Sequence, residues 1–205
     1  MAWIMYADEN NDRLVNGNSH DSDAWVHWES GYSEDQKERA IENGALYSVC
    51  KNLKLYKCPT GKSGEVITYT IVDAMNGHLA ISGATPAPVK TRSKIKNATL
   101  QAVFMDEGKL TPSSWTVYYY QELWWDAPAV RHSQGTNWSF ADGHSEFWKW
   151  MDLRTVKIGA AKDDTPIDPG VSDASWATGN PDLHRVQKAA WAFMGRMGYS
   201  PSAVQ

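Results

Sequence analysis

The chain has 205 residues, a net charge of −4, and 42% hydrophobic and 21% charged residues. That apolar content supports a buried core and excludes an intrinsically disordered chain; the acidic balance excludes the usual nucleic-acid binder, which is basic. Eleven Trp and nine Tyr exceed what a core of this size needs, so some aromatic surface is expected to be exposed or to face a partner.

The nearest approach to a membrane-spanning run is Ala2–Ala7, far short of the roughly 20 residues that a bilayer requires. Residues 8–32 read as loop around Trp25 and Trp28. Asp8, Asn10 and Asp12 have the oxygen spacing of a calcium loop, but Arg13 stands where Gly is needed and Ser19 where the bidentate Glu is needed. A turn rich in side-chain-to-backbone hydrogen bonds is the better reading. Ser33 and Gln36 form a capping box that opens a helix, with Ile41, Ala45, Leu46, Val49 and Cys50 on one face and a break offered at Asn43-Gly44. Thr60-Gly61-Lys62-Ser63 ends like a phosphate-binding loop, but Tyr56 occupies the place of its first Gly.

Val66–Val72 and Leu100–Met105 are strand candidates by β-branched content, separated by a long basic loop at 76–98. Trp115–Trp125 is either a further strand or an aromatic loop. Within it Trp115, Trp124 and Trp125 are candidates for surface recognition, since Trp stacks on sugars and anchors protein interfaces. Asp142-Gly143, between NWSFA and HSEFWKW, predicts a two-residue hairpin turn. In that register Trp138 faces Phe147; Trp138, Phe140 and Phe147 share one face, and Asn137, Ser139, His144 and Glu146 the other. The sum is an α+β fold, an antiparallel sheet of four or five strands with packed helices.

Past Asp152 the character changes. Residues 159–180 read as irregular surface, and Asn180-Pro181-Asp182 starts a helix whose stripe is Leu183, Val186, Ala190, Phe193 and Met197, ended by Gly198. The organisation expected is a globular head at 1–152 and a C-terminal extension at 153–205, its helix near 181–197 packing on the head.

Catalytic signatures are missing: there is no HExxH, no G-x-S-x-G and no carboxylate pair in an apolar setting, so a non-catalytic role is expected. Cys50 and Cys58 allow one pairing; the alternatives are a disulfide worth about 2–3 kcal/mol or two buried thiols. Asp106-Glu107, at the end of a strand, can approach His132 or Asp142 in space, and Asp106, Glu107 and Asp142 would suit a hard cation such as calcium. The plainer reading makes Asp142 a turn residue, Asp106 a loop cap and His132 a scaffold hydrogen-bonding group.

Arg131-His132, Gly135, Asn137 and Phe140-Ala141-Asp142-Gly143-His144 resemble the His-x9-Asp-Gly motif that ends many bacterial prepilin-type proteins, relatives of the type II secretion pseudopilins. YADENNDRLV, LKLYKCPTGK, ITYTIVDAMNG and ATLQAVFMDEG are similar to that family's other segments, in family order, across most of residues 1–153. The resemblance implies a pilin-like head domain whose N-terminal pilin helix is truncated, with residues 1–7 as its stub. It implies a structural subunit of a type II secretion pseudopilus or type IV pilus-like filament, exported to the periplasmic or extracellular face. The full-length form would be anchored in the inner membrane before assembly. Partners would be other pilin-like subunits, with secreted cargo or a glycan possible and no nucleic acid. Export favours a Cys50–Cys58 disulfide; no cofactor is expected, with calcium, which the family can bind near its C-terminal sheet, as the possible exception. The alternative from another class is a secreted carbohydrate-binding module.

Overall fold

Helix α1 (Ala2–Glu9) buries Trp3 and Ala7 and leaves Met1 and Met5 exposed. It runs into a turn in which Asn10 donates to the Tyr6 carbonyl and Asp12 accepts from the Ser93 backbone N–H, while Asp8 pairs with Arg92 at 2.7 Å. The calcium-like spacing is thus spent on tying this turn to the basic loop. The structure, a computed structural model, describes residues 1–29, 31–77, 85–108, 114–164 and 173–191.

The Ser33–Gln36 capping box forms as expected and opens α2 (Glu34–Glu42). The helix ends at the Asn43 cap, as the Asn43-Gly44 pair suggests; Gly44 passes so near the Trp25 carbonyl that a Cβ would lie 2.2 Å from it, and α3 (Tyr47–Cys50) follows. Ile41 and Leu46 carry the buried face.

The sheet has four antiparallel strands in sequential order: β1 (Tyr69–Ile71), β2 (Ala102–Asp106), β3 (Gly135–Phe140) and β4 (Ser145–Lys149). Alternation puts Thr70, Met105 and Trp138 on one face and Tyr69, Ile71, Phe104, Ser139 and Asp106 on the other. A groove of about 670 Å³ lies along the second face, lined by Met1, Ile4, Leu46, Tyr69, Phe104 and Phe147 among others.

The hairpin register differs from expectation by one residue. Trp138 pairs with Glu146 and Asn137 with Phe147. Phe140 bonds His144 and Gly143 bonds the Phe140 carbonyl, so the loop is Ala141-Asp142-Gly143, with Gly143 alone at positive φ (+96°). This is a three-residue turn with its left-handed residue last, rather than the two-residue turn needing two positive φ values. The Asp142 carboxylate decides it, accepting from the His144 N–H at 3.1 Å and closing a local side-chain turn. The shift sends Phe147 outward, 48% exposed, and buries Trp148 instead.

Trp115–Trp125 forms no strand; its backbone is bridged to Val72, just past β1, the Trp115 ring packs on Trp138, and the segment folds on itself at Val117–Trp124. Residues 159–164, expected to be irregular, belong to α4 (Leu153–Asp164). Asp152 caps that helix through the Arg154 N–H, and Gly159 lets it press against residues 128–130, where a Cβ would meet Val130 at 2.2 Å. Helix α5 (Pro181–Trp191) starts where expected, Asn180 accepting from the Asp182 and Leu183 N–H groups. It packs on residues 117–122: Gln187 donates to the Tyr118 and Gln121 carbonyls and Trp191 to Val117. Phe193, Met197 and Gly198 lie outside the described residues.

Candidate functional site

The site is built by the turn that precedes β3. Arg131 and Gly135 exchange two backbone hydrogen bonds of 2.8 Å, closing a tight loop over His132, Ser133 and Gln134. All three loop residues have positive φ, +46°, +64° and +70°, although none is glycine. Each such residue costs on the order of 1–2 kcal/mol. Gly135 is required next: a Cβ there would fall 2.2 Å from the Trp148 carbonyl and 2.6 Å from the Phe147 ring.

This loop aims His132 at the end of β2. Nε2 lies 2.6 Å from Asp106 Oδ2 and 3.6 Å from Cys58 Sγ, while Nδ1 lies 3.5 Å from Thr60 Oγ1. Asp106 is fully buried and Thr136 donates to its carbonyl at 2.6 Å. Its Oδ2 meets His132; among the described residues its Oδ1 has no hydrogen-bond donor, the nearest cation being Arg131 Nε at 3.5 Å. The end of the Arg131 guanidinium is turned away into a two-pronged pair with Glu65, at 3.2 and 3.3 Å. Gly108, at φ +75°, makes room for it, since a Cβ would stand 2.4 Å from Arg131 Nη1. Tyr69 closes the groove side; burial, then the nearby Cys58 and Asp106, push its phenol up to about 12 against the pull of Arg131.

Cys58, Asp106 and His132 therefore bring three potential ligand atoms within 4.8 Å of one another. This is not the layout of a nucleophile–base relay, in which thiol and carboxylate address opposite ring nitrogens. Here both address Nε2.

The proximity of Asp106 to His132 matches the expectation; the calcium set does not assemble. Asp106 follows the Met105–Trp138 pair, while Asp142 lies beyond the other end of β3, about 16 Å away at 3.3 Å per residue. Glu107 is buried past the strand end. Nor do the cysteines join. Both are free thiols: Cys50 bonds the Leu46 carbonyl and the Tyr56 hydroxyl, and Cys58 turns toward Thr60 and His132. The aromatic surface shrinks as well. Of the three candidates, Trp115 and Trp124 are fully buried, Trp115 against Trp138 of the sheet, and Trp125 alone, 40% exposed, reaches solvent. Asn137 lines the groove. Cys58, Thr60, Glu65 and Tyr69 were not expected at the site; the only sequence signal for Cys58 is its place in the Cys-Pro segment.

Asp142 instead binds His144, with 2.6 Å between Oδ1 and Nδ1. The His144 backbone and ring hold the Asp142 carboxyl below its usual range; Asp142 first, then Glu146, raise the His144 imidazole. A raised imidazole favours the fold at low pH and loses that contribution as pH rises through its folded value; a depressed carboxyl contributes above its ordinary value and loses it on acidification. Both are in place between about pH 4 and 6.5. Asp142→Asn is expected to bring the His144 NMR titration midpoint down toward the ordinary imidazole value. An unmoved midpoint would contradict the pairing.

Comparison with protein-family models, with curated proteins and with solved structures returns no match for this chain. Among the described residues, no helix is long and apolar enough to cross a membrane.

Proposed function

We propose that the chain is the pilin-like head domain of an exported, non-catalytic filament subunit, of a type II secretion pseudopilus or a related type IV pilus-like filament. The observation that carries this reading is the placement of α1. It lies at the mouth of an apolar groove on one face of a sequentially ordered antiparallel sheet, with Met1 and Ile4 reaching the Gly143 turn of the terminal hairpin. On this reading α1 is the distal end of the assembly helix, and the exposed Met5, Leu55 and Phe147 continue an apolar surface suited to subunit contacts. The His-x9-Asp-Gly stretch is then scaffold: one strand with a tight turn at each end.

The gene is the first test. A processing site and an apolar segment of about 20 residues are expected upstream of Ala2, and the isolated chain is expected to be monomeric in light scattering, since assembly would need that helix. An upstream reading frame without such a segment overturns the proposal. The glycan-binding alternative keeps Trp125, with Tyr118 set edge-on to it at 5.4 Å, and the exposed Tyr120 as its aromatic surface.

A further inference from the structure

We propose that Cys58 Sγ, His132 Nε2 and Asp106 Oδ2 form a three-ligand site for a zinc-class cation, with a fourth position open to water. The proposal is independent of the filament reading. Three ligands come from separate segments, 74 and 26 residues from His132, so their convergence is a product of the fold rather than of local spacing.

Without a metal, Nε2 can serve Asp106 while the Cys58 thiol pairs with Thr60 Oγ1 at 3.2 Å, which leaves Sγ and Oδ2 facing the same ring nitrogen. A neutral imidazole nitrogen either donates or accepts, so Nε2 cannot serve the Asp106 carboxylate as donor and the Cys58 thiol as acceptor together. A cation engages all three atoms at once, because each then acts as a lone-pair donor. Asp106 supplies a second, separate indication: it is fully buried, its Oδ1 accepts no hydrogen bond among the described residues, and its ion-pair partner Arg131, 3.5 Å away at Nε, shares its charge with Glu65. A buried carboxylate that shares its guanidinium with a second carboxylate can accommodate further positive charge. The third is mechanical. Three left-handed residues in succession hold the imidazole in place, and Thr60 Oγ1 stands at Nδ1, where a ligating histidine needs an orienting partner.

The distances suit zinc. Tetrahedral bonds of about 2.3 Å to sulfur and 2.0–2.1 Å to nitrogen place those two atoms about 3.6 Å apart, and 3.6 Å is observed. The nitrogen–oxygen edge, 2.6 Å here, must open to about 3.4 Å as its hydrogen bond is replaced. A thiolate with an imidazole selects zinc or cobalt(II) over calcium and magnesium. Binding releases one proton, from the Cys58 thiol, and the imidazole proton resides on Nδ1 facing Thr60.

Cobalt(II) is the probe. One equivalent added to the metal-free chain is expected to produce a thiolate-to-cobalt charge-transfer band that zinc bleaches and excess calcium does not. The band is expected to vanish in Cys58→Ser and to persist in Cys50→Ser. His132→Asn, which tolerates the left-handed backbone, is expected to weaken zinc binding by more than about 100-fold, beyond what loss of an orienting partner does. Zinc-edge X-ray absorption on the unaltered chain should show one sulfur at about 2.3 Å, which decides the matter even if Cys58→Ser fails to fold. No band at one equivalent, a band surviving in Cys58→Ser, or a sulfur-free shell each overturns the proposal.

Discussion

Trp115→Ala is expected to cost about 3–5 kcal/mol of stability. The indole is fully buried, meets Trp138 edge-on with ring centroids 5.7 Å apart, and donates Nε1–H to the Ala127 carbonyl at 3.1 Å. Truncation would open a cavity between the sheet and residues 115–127 and leave that carbonyl without its donor. Urea unfolding should show a lower midpoint with an unchanged slope. Trp125→Ala, which removes one exposed edge-on contact with Tyr118, is expected to cost only about 0.5–1.5 kcal/mol. Equal losses would mean that the two rings share one environment, contrary to their burial.

Arg131→Met is expected to destabilise by about 3 kcal/mol, toward the lower end of the cost of breaking a buried ion pair because Glu65 keeps some exposure. Methionine keeps the apolar stem and removes the guanidinium, leaving Asp106 without its nearest cation and Glu65 without its two-pronged partner. Arg131→Lys should lose less: it retains the charge but not the planar fork. Thermal and urea unfolding check both. A loss below about 1 kcal/mol would show that the pair behaves as an ordinary surface bridge.

Local chemistry was the legible part of the sequence. The Ser33–Gln36 box and the Asn180-Pro181 start are self-contained signals, since each satisfies orphan helix N–H groups with side chains a few residues away. The hairpin was legible as a hairpin but not in register, because Asp-Gly is compatible with two loop lengths and the choice rests on the Asp142–His144 contact. That slip of one residue is what exchanged Phe147 for Trp148 in the core. The tryptophans misled for a related reason: abundance suggested surface, while the fold buries Trp115 against Trp138 and encloses Trp124 completely. Gly159 read as loop because nothing local shows that the neighbouring backbone would press on it. At the site, the approach of His132 to Asp106 was foreseeable from a shared strand end. Cys58 was not, since a 74-residue separation carries no periodicity and three non-glycine residues at positive φ leave no compositional trace.

The turns at either end of β3 make the interval between His132 and Asp142 a combined ruler and phase marker. Removing one residue from 135–140 would invert the parity of the strand, turning Trp138 and Phe140 toward the groove and Asn137 and Ser139 toward the core. Adding two would restore parity but displace the His132 loop by about 6.6 Å, beyond reach of Asp106. Orientation of the core and reach of the imidazole are therefore written into a single length, and only one value satisfies both.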